Sequence, residues 1–268
     1  MAFRRVGARW CRKCTEFKII TKAIDLTPKE ARAEYDAQGY VHIRQALKGQ
    51  ELDRLQAAFS RAEKQDALRD ILNQDDLFLD LVDHPSWLPI AQAIVGDDLQ
   101  LRYISGGVIK AQSDSGSGWH CDLSNINGVY LPDSVIMTKL FVYVDDVPED
   151  GACLSFVPGS HRYEMGHPLP DIHRFEEMPY HVKMIVSAGD AVLMNGYTWH
   201  ARFHNRSTRP RKVIESSYIH AWMKTQHDFK GLSPHVQSRI MASNNRRQLF
   251  GIPDPVRSNW ERRLITAG

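Results

Sequence analysis

Three side chains able to hold a metal stand in two short runs. His120 and Asp122 lie in Trp119-His120-Cys121-Asp122, and His200 lies in Trp199-His200, with Arg211 further on. In an extended strand alternate side chains share a face, so His120 and Asp122 are expected to project to one side and Cys121 to the other. One strand then offers an imidazole and a carboxylate, and His200 brings a second imidazole from a distant strand. Two histidines and one carboxylate occupy one face of a six-coordinate metal and leave positions open, a donor set that suits non-haem Fe(II). Open positions can take a chelating cosubstrate and dioxygen together, which a closed structural site cannot.

His-x-Asp alone is a weak signal, and its setting gives it weight. The apolar stretch 99–111 reads as a strand and the Ser/Gly-rich residues 113–118 as a turn-rich loop. Residues 135–144, 152–157, 182–187 and 191–194 read as further strands, separated by turns such as Pro158-Gly159-Ser160-His161 and Ala188-Gly189-Asp190. His200 opens the next segment, and 212–219 is a last strand. Short strands with turn punctuation and no long helix between them predict an antiparallel sandwich or barrel, in which His120 and His200 can meet.

Helices precede this region. Thr27-Pro28-Lys29-Glu30 has the residues of a capping box, with Gly39 placed to stop the helix. Leu52, Leu55 and Phe59 share a face of a helix over 50–64, and a third helix over 87–95 ends at Gly96. A further helix is expected over 234–250.

With these runs in order, the chain resembles the phytanoyl-CoA dioxygenase-like family of Fe(II)/2-oxoglutarate-dependent oxygenases. The resemblance is carried by Trp119-His120-Cys121-Asp122, Val144-Asp145-Asp146-Val147 through Gly151, and Phe156-Val157-Pro158-Gly159-Ser160-His161. Ala188-Gly189-Asp190, Trp199-His200 with Arg211, and the opening Leu26-Thr27-Pro28-Lys29-Glu30 to Gly39-Tyr40-Val41 complete it, so that it spans roughly residues 26–219. It implies a mainly β fold with flanking helices and a double-stranded β-helix core, a jelly roll of the cupin-like kind. It also implies that His120, Asp122 and His200 are the catalytic iron ligands and that Arg211 holds the distal carboxylate of 2-oxoglutarate. The expected reaction uses dioxygen as a second cosubstrate, releases succinate and carbon dioxide, and oxidises, by default hydroxylates, a C–H bond of a small organic substrate. Specialised-metabolite biosynthesis is one setting it suggests.

A planar guanidinium can grip a carboxylate through two bonds and keeps its charge, which suits the role given to Arg211. Arg209 is the neighbouring competitor, but Arg211 matches the family's spacing and begins the strand. The chain departs from the family at Phe141, where tryptophan is common, and at Ser117, where some biosynthetic members have glutamine. Asp122 argues against halogenation, since halogenating relatives replace this carboxylate with glycine or alanine.

Other residues have plainer readings. His161 sits in a turn and is expected to hydrogen-bond locally. Trp119 and Trp199 are expected to face away from the metal into packing. Cys11 and Cys14 are half of a zinc ribbon without its other half, and are read as not binding metal. Cys121 and Cys153 are expected to be reduced. The basic segment 202–212 reads as a solvated loop, with an anion-binding rim as the alternative.

A chain of 268 residues, 43% hydrophobic, can bury one sizeable core. A basic extension over 1–25 is followed by a single oxygenase domain over 26–268, with its jelly-roll core at about 99–220 and a C-terminal extension at about 222–268. That extension is expected to cover the barrel mouth or to join a partner subunit in a homo-oligomer. The irregular stretches 124–133 and 164–180 are candidate substrate loops. A net charge of +2 does not suggest nucleic-acid binding, and no run is apolar enough to span a bilayer. Residues 1–19 lack the apolar core of a secretory signal, so the cytoplasm is the default location. The competing readings are an oxygenase acting on a macromolecule and a non-catalytic metal-binding jelly roll.

Overall fold

The computed structural model describes residues 26–123, 134–163, 170, 172 and 174–252. The basic N-terminal extension with Cys11 and Cys14, the loop 124–133, part of 164–180 and the tail 253–268 lie outside the described residues.

The chain opens with helix α1 (Pro28–Gln38). The Thr27 hydroxyl accepts from the Glu30 amide, and the Glu30 carboxylate accepts from the Thr27 amide at 3.0 Å, which completes the capping box. Gly39 ends the helix at φ +84°, a left-handed conformation that suits glycine. Strand β1 (Tyr40–Ile43) and helix α2 (Gln50–Lys64) follow. Leu55, Ala58, Phe59 and Ala62 form the buried stripe of α2. A 3-10 turn, Leu68–Asn73, and the short helix α3 (Asp76–Asp80), capped by the Asp75 carboxylate, were not legible from apolar spacing. Helix α4 (Leu88–Val95) ends at Gly96.

The strands are β2 (Leu99–Ile109), β3 (Ser117–His120), β4 (Met137–Tyr143), β5 (Leu154–Phe156), β6 (Val182–Met184), β7 (Ala191–Asn195), β8 (His200–Arg202) and β9 (Arg211–His220). They form two antiparallel sheets, ordered β1-β7-β4-β9-β2 and β3-β8-β5-β6. This is the expected mainly β jelly roll with flanking helices. Alternation along the larger sheet divides the core in two. Val41, Leu140, Val142, Leu193 and Ile214 pack outward against the helices, while Tyr40, Phe141, Tyr143, Val192 and Val213 point inward to meet Leu154 and Phe156 of the smaller sheet.

The helix expected over 234–250 is two helices, α5 (Pro234–Met241) and α6 (Asn244–Leu249). Ser243 divides them because its hydroxyl caps α6 through the Arg246 amide. Val236, Ile240, Leu249 and Phe250 join the apolar cluster of the other helices, and Arg246 reaches Asp80 and Asp83 at 2.9 Å each. The described part of the C-terminal extension therefore belongs to the helical layer. No helix among the described residues is long and apolar enough to cross a membrane.

Candidate metal and cosubstrate site

Strands β3 and β8 pair with His120 directly opposite His200, and the two rings lie 4.3 Å apart. The expectation that His120 and Asp122 share one continuous strand needs correction. Pairing shifts register between Ser117 and His120, β3 stops at His120, and Asp122 stands in the turn after it. The turn still returns the carboxylate to the histidines: Asp122 Oδ1 lies 3.8 Å from His120 Nε2 and 3.8 Å from His200 Nε2. One ligand atom from each residue falls within 4.8 Å of the others.

Backbone contacts set both imidazoles. His120 Nδ1 meets the Gly118 carbonyl at 2.7 Å, and His200 Nδ1 meets the Thr198 carbonyl at 2.9 Å. A carbonyl only accepts, so each Nδ1 carries the proton and each Nε2 presents a lone pair toward Asp122. His200 is almost wholly buried, and burial, opposed in part by Asp122, pushes its pKa down, so the ring stays in the neutral form a metal requires. Asp122 Oδ1 is the carboxylate oxygen nearest both Nε2 atoms, and the carboxylate is largely buried. These features fit a divalent cation in the space between the three side chains.

Arg211 opens β9 and is 2% exposed. Its Nε and Nη2 have no hydrogen-bond partner, and its guanidinium carbon lies 5.4 Å from the centre of the Tyr143 ring. Burying guanidinium donors that have no acceptor is costly, so Nε and Nη2 fit a carboxylate. The solvated-loop reading of 202–212 holds for Arg206 and Arg209, which are exposed, and fails at both ends. Arg202 lies two residues after His200 on β8 and so faces the same way; its Nε is also buried without a partner. Burial, and then the charge of Arg211, push the Arg202 pKa below the usual guanidinium value.

Lys139 was also missed. Alternation in β4 puts it on the inner face with Phe141 and Tyr143, a lysine in a strand that is apolar apart from Thr138. Its ammonium lies 3.2 Å from Asp122 Oδ2 and 3.4 Å from Oδ1. Burial favours loss of its proton, but Tyr103, Asp122 and Glu215 outweigh that and raise its pKa.

The remaining motif residues position the site. Ser160 Oγ accepts from the Trp199 amide at 2.8 Å, and the Val157 amide donates to the Trp199 carbonyl at 2.9 Å, so the Pro158-Gly159-Ser160-His161 turn braces the start of β8. His161 Nε2 meets the Asp36 carbonyl at 3.2 Å, a structural contact as expected, but one that reaches across to α1 and not within its own turn. Asp190 binds His42 at 2.8 Å and accepts from the Gln45 and Ser187 amides, which ties β1 to β7. Gly189 has φ +84° and sits so close to the Leu47 carbonyl that a Cβ would fall 2.1 Å from its oxygen. Trp119 and Trp199 pack with Val157, Met178 and Ala201, away from the ligand cluster.

Fold and site together define a jelly roll with two histidines and a carboxylate converging inside it. Residues 35–213 match the model of the phytanoyl-CoA dioxygenase family, and the chain belongs to that family. It is similar to the dioxygenase af480 of Aspergillus fumigatus, with 24% identity over 147 residues, 55% of this chain and 46% of that protein. The chain thus spans about half the length of that curated relative. Among solved structures, the non-heme alpha ketoglutarate dependent carbocyclase SnoK from nogalamycin biosynthesis superposes with a TM-score of 0.60 and 24% identity, covering 74% of this chain and 85% of that one. The epimerase SnoN, in complex with Fe3+, alpha ketoglutarate and nogalamycin RO, superposes with a TM-score of 0.60 and 22% identity, covering 77% and 90%. These likenesses establish the shared fold.

Proposed function

We propose that the protein is an Fe(II)/2-oxoglutarate-dependent dioxygenase that oxidises a C–H bond of a small organic molecule. The observation that carries this reading is the convergence of His120, Asp122 and His200 within 4.8 Å, combined with the buried Arg211, whose Nε and Nη2 have no hydrogen-bond partner. His120 Nε2, His200 Nε2 and Asp122 Oδ1 would hold the iron, and Arg211 would receive the distal carboxylate of 2-oxoglutarate. When bound, iron supplies the activation of dioxygen that splits 2-oxoglutarate into succinate and carbon dioxide and oxidises the substrate.

The chain's own residues orient and shield. Gly118 and Thr198 keep each Nε2 unprotonated, and burial of Arg211 strengthens its hold on an anion by excluding competing water. His120 is 42% exposed at its side chain against 4% for His200, so the cluster opens on the His120 side, where substrate would approach. Hydroxylation is the default outcome, and specialised metabolism is the setting we favour, consistent with the biosynthetic roles named for SnoK and SnoN. We read residues 26–268 as one catalytic domain. We place it in the cytoplasm, where ferrous iron and the Cys121 and Cys153 thiols, neither of them in a disulfide, would stay reduced.

Anaerobic addition of Fe(II) and then 2-oxoglutarate tests this reading. A visible charge-transfer band is expected, perturbed by molecules that reach the substrate side. Absence of the band, together with absence of succinate formation in air, would sink it.

A further inference from the structure

The two oxygens of Asp122 differ in their surroundings, and the Lys139 ammonium contacts both. Oδ1 lies 3.8 Å from both histidine Nε2 atoms, whereas the shortest contact of the Lys139 ammonium is to Oδ2 at 3.2 Å, with its hydrogen bond to Oδ1 longer at 3.4 Å. Resting on the metal-site reading above, we propose that Lys139 is a positioning residue that restricts Asp122 to a single metal-facing oxygen.

Lys139 is well placed for this. In β4 it stands opposite Met194 of β7 on one side and Ser217 of β9 on the other, so the ladders of two neighbours fix its backbone. Its side chain is only 16% exposed, and Nζ lies 5.5 Å from the centre of the Phe141 ring. An ammonium is strongly hydrated, and burying one inside an apolar strand is unfavourable unless a carboxylate compensates. Asp122 is the carboxylate in contact with Lys139, and Tyr103 and Glu215 nearby also favour the charged ammonium. The ammonium's hydrogen bond goes to Oδ1 at 3.4 Å, and Oδ2, without a hydrogen bond of standard geometry, is held by the ammonium's charge at 3.2 Å.

The consequence lies in the number of open positions. A carboxylate that grips a metal with both oxygens fills two positions; one that uses a single oxygen leaves an additional position for a small ligand beside a chelating keto acid. By engaging Oδ2, Lys139 keeps that position available. It also places a fixed positive charge beside the only carboxylate in the ligand cluster.

Nitric oxide, which can occupy an open ferrous position without turnover, is a suitable probe. The full chain is loaded anaerobically with Fe(II) and 2-oxoglutarate and titrated with nitric oxide, with the paramagnetic resonance signal of the adduct as readout. If the wild-type chain binds neither Fe(II) nor 2-oxoglutarate, it is the functional reading itself that fails. Given binding, Lys139→Met is expected to keep both ligands but to weaken nitric oxide binding about 10-fold, the lower end of what outer contacts to metal ligands contribute. Lys139→Arg, which retains the charge, is expected to restore it. Unchanged nitric oxide affinity in Lys139→Met overturns the proposal. So does tighter Fe(II) binding with no other change, which would mark Lys139 as a cation competing for the site. Should Lys139→Met not fold, Lys139→Gln is read in the same way.

Discussion

Thr198 links the end of the first helix to a candidate metal ligand through Gly39. Its hydroxyl donates to the Gly39 carbonyl at 2.8 Å, and its own carbonyl accepts from His200 Nδ1 at 2.9 Å. The Asn195 amide donates to the same Gly39 carbonyl at 2.8 Å. The residue that stops α1 therefore also anchors the turn that delivers His200.

Gly39→Ala tests that link. A Cβ there would fall 2.4 Å from Thr198 Oγ1, on a backbone held at φ +84°. The expected loss of stability exceeds about 1 kcal/mol, measured by urea unfolding, because alanine is strained at positive φ and the site has no room. Fe(II) affinity should fall as well, since the Thr198 carbonyl orients His200. A variant with wild-type stability and iron affinity would show the link to be idle.

His120→Ala, Asp122→Ala and His200→Ala should each reduce iron retention after anaerobic desalting to background, and with it succinate formation. His200→Ala also removes a ring that is 3% exposed, so its folding must be checked by circular dichroism. Turnover retained in the Asp122 and His120 variants would refute the assigned ligand set.

Arg211→Met should weaken 2-oxoglutarate binding by at least about 10-fold, since a hydrogen bond to a charged group contributes about 1.5–3 kcal/mol. Arg211→Lys should recover only part of this, because an ammonium lacks the planar fork. Arg202→Met should cost less, since it removes a nearby charge and leaves the clamp. Titration of the charge-transfer band ranks the three; equal affinity in all of them would exclude Arg211 as the anchor.

His227 provides a test by pH. It lies against Phe250, with ring centres 5.5 Å apart, Nε2 has no partner, and burial pushes its pKa down to about 4 from an ordinary value of 6.5. The folded ring is neutral where the unfolded one is protonated, so the unfolded state binds more protons between about pH 4 and 6.5. Stability should therefore rise with pH across that window through this group. Urea unfolding of His227→Gln should show a shallower rise than wild type, and parallel profiles would mean that the ring is solvated in the fold.

Much of this protein was legible in its residue order. The capping box at Thr27 and Glu30, the buried stripe of α2, the apolar run that becomes β4 and the candidate ligand trio were all set by local pattern and residue chemistry. Short helices were missed because a single turn such as α3 repeats no pattern and is held by its Asp75 cap and by long-range ion pairs to Arg239 and Arg246. The continuous helix over 234–250 was too long because a cap at Ser243 outweighed the run of helix formers around it.

Sequence alone determined which donors this chain can offer a metal, and which faces of its strands are apolar, since both follow from side-chain chemistry and a period of two. Only the tertiary structure decided what meets those donors. Alternation says that Lys139 and Arg202 point inward, but not that one meets Asp122 and the other comes within reach of the charge of Arg211. Those encounters depend on which strands pair and in what register, and residues far apart in the chain settle that by burying their apolar surface together.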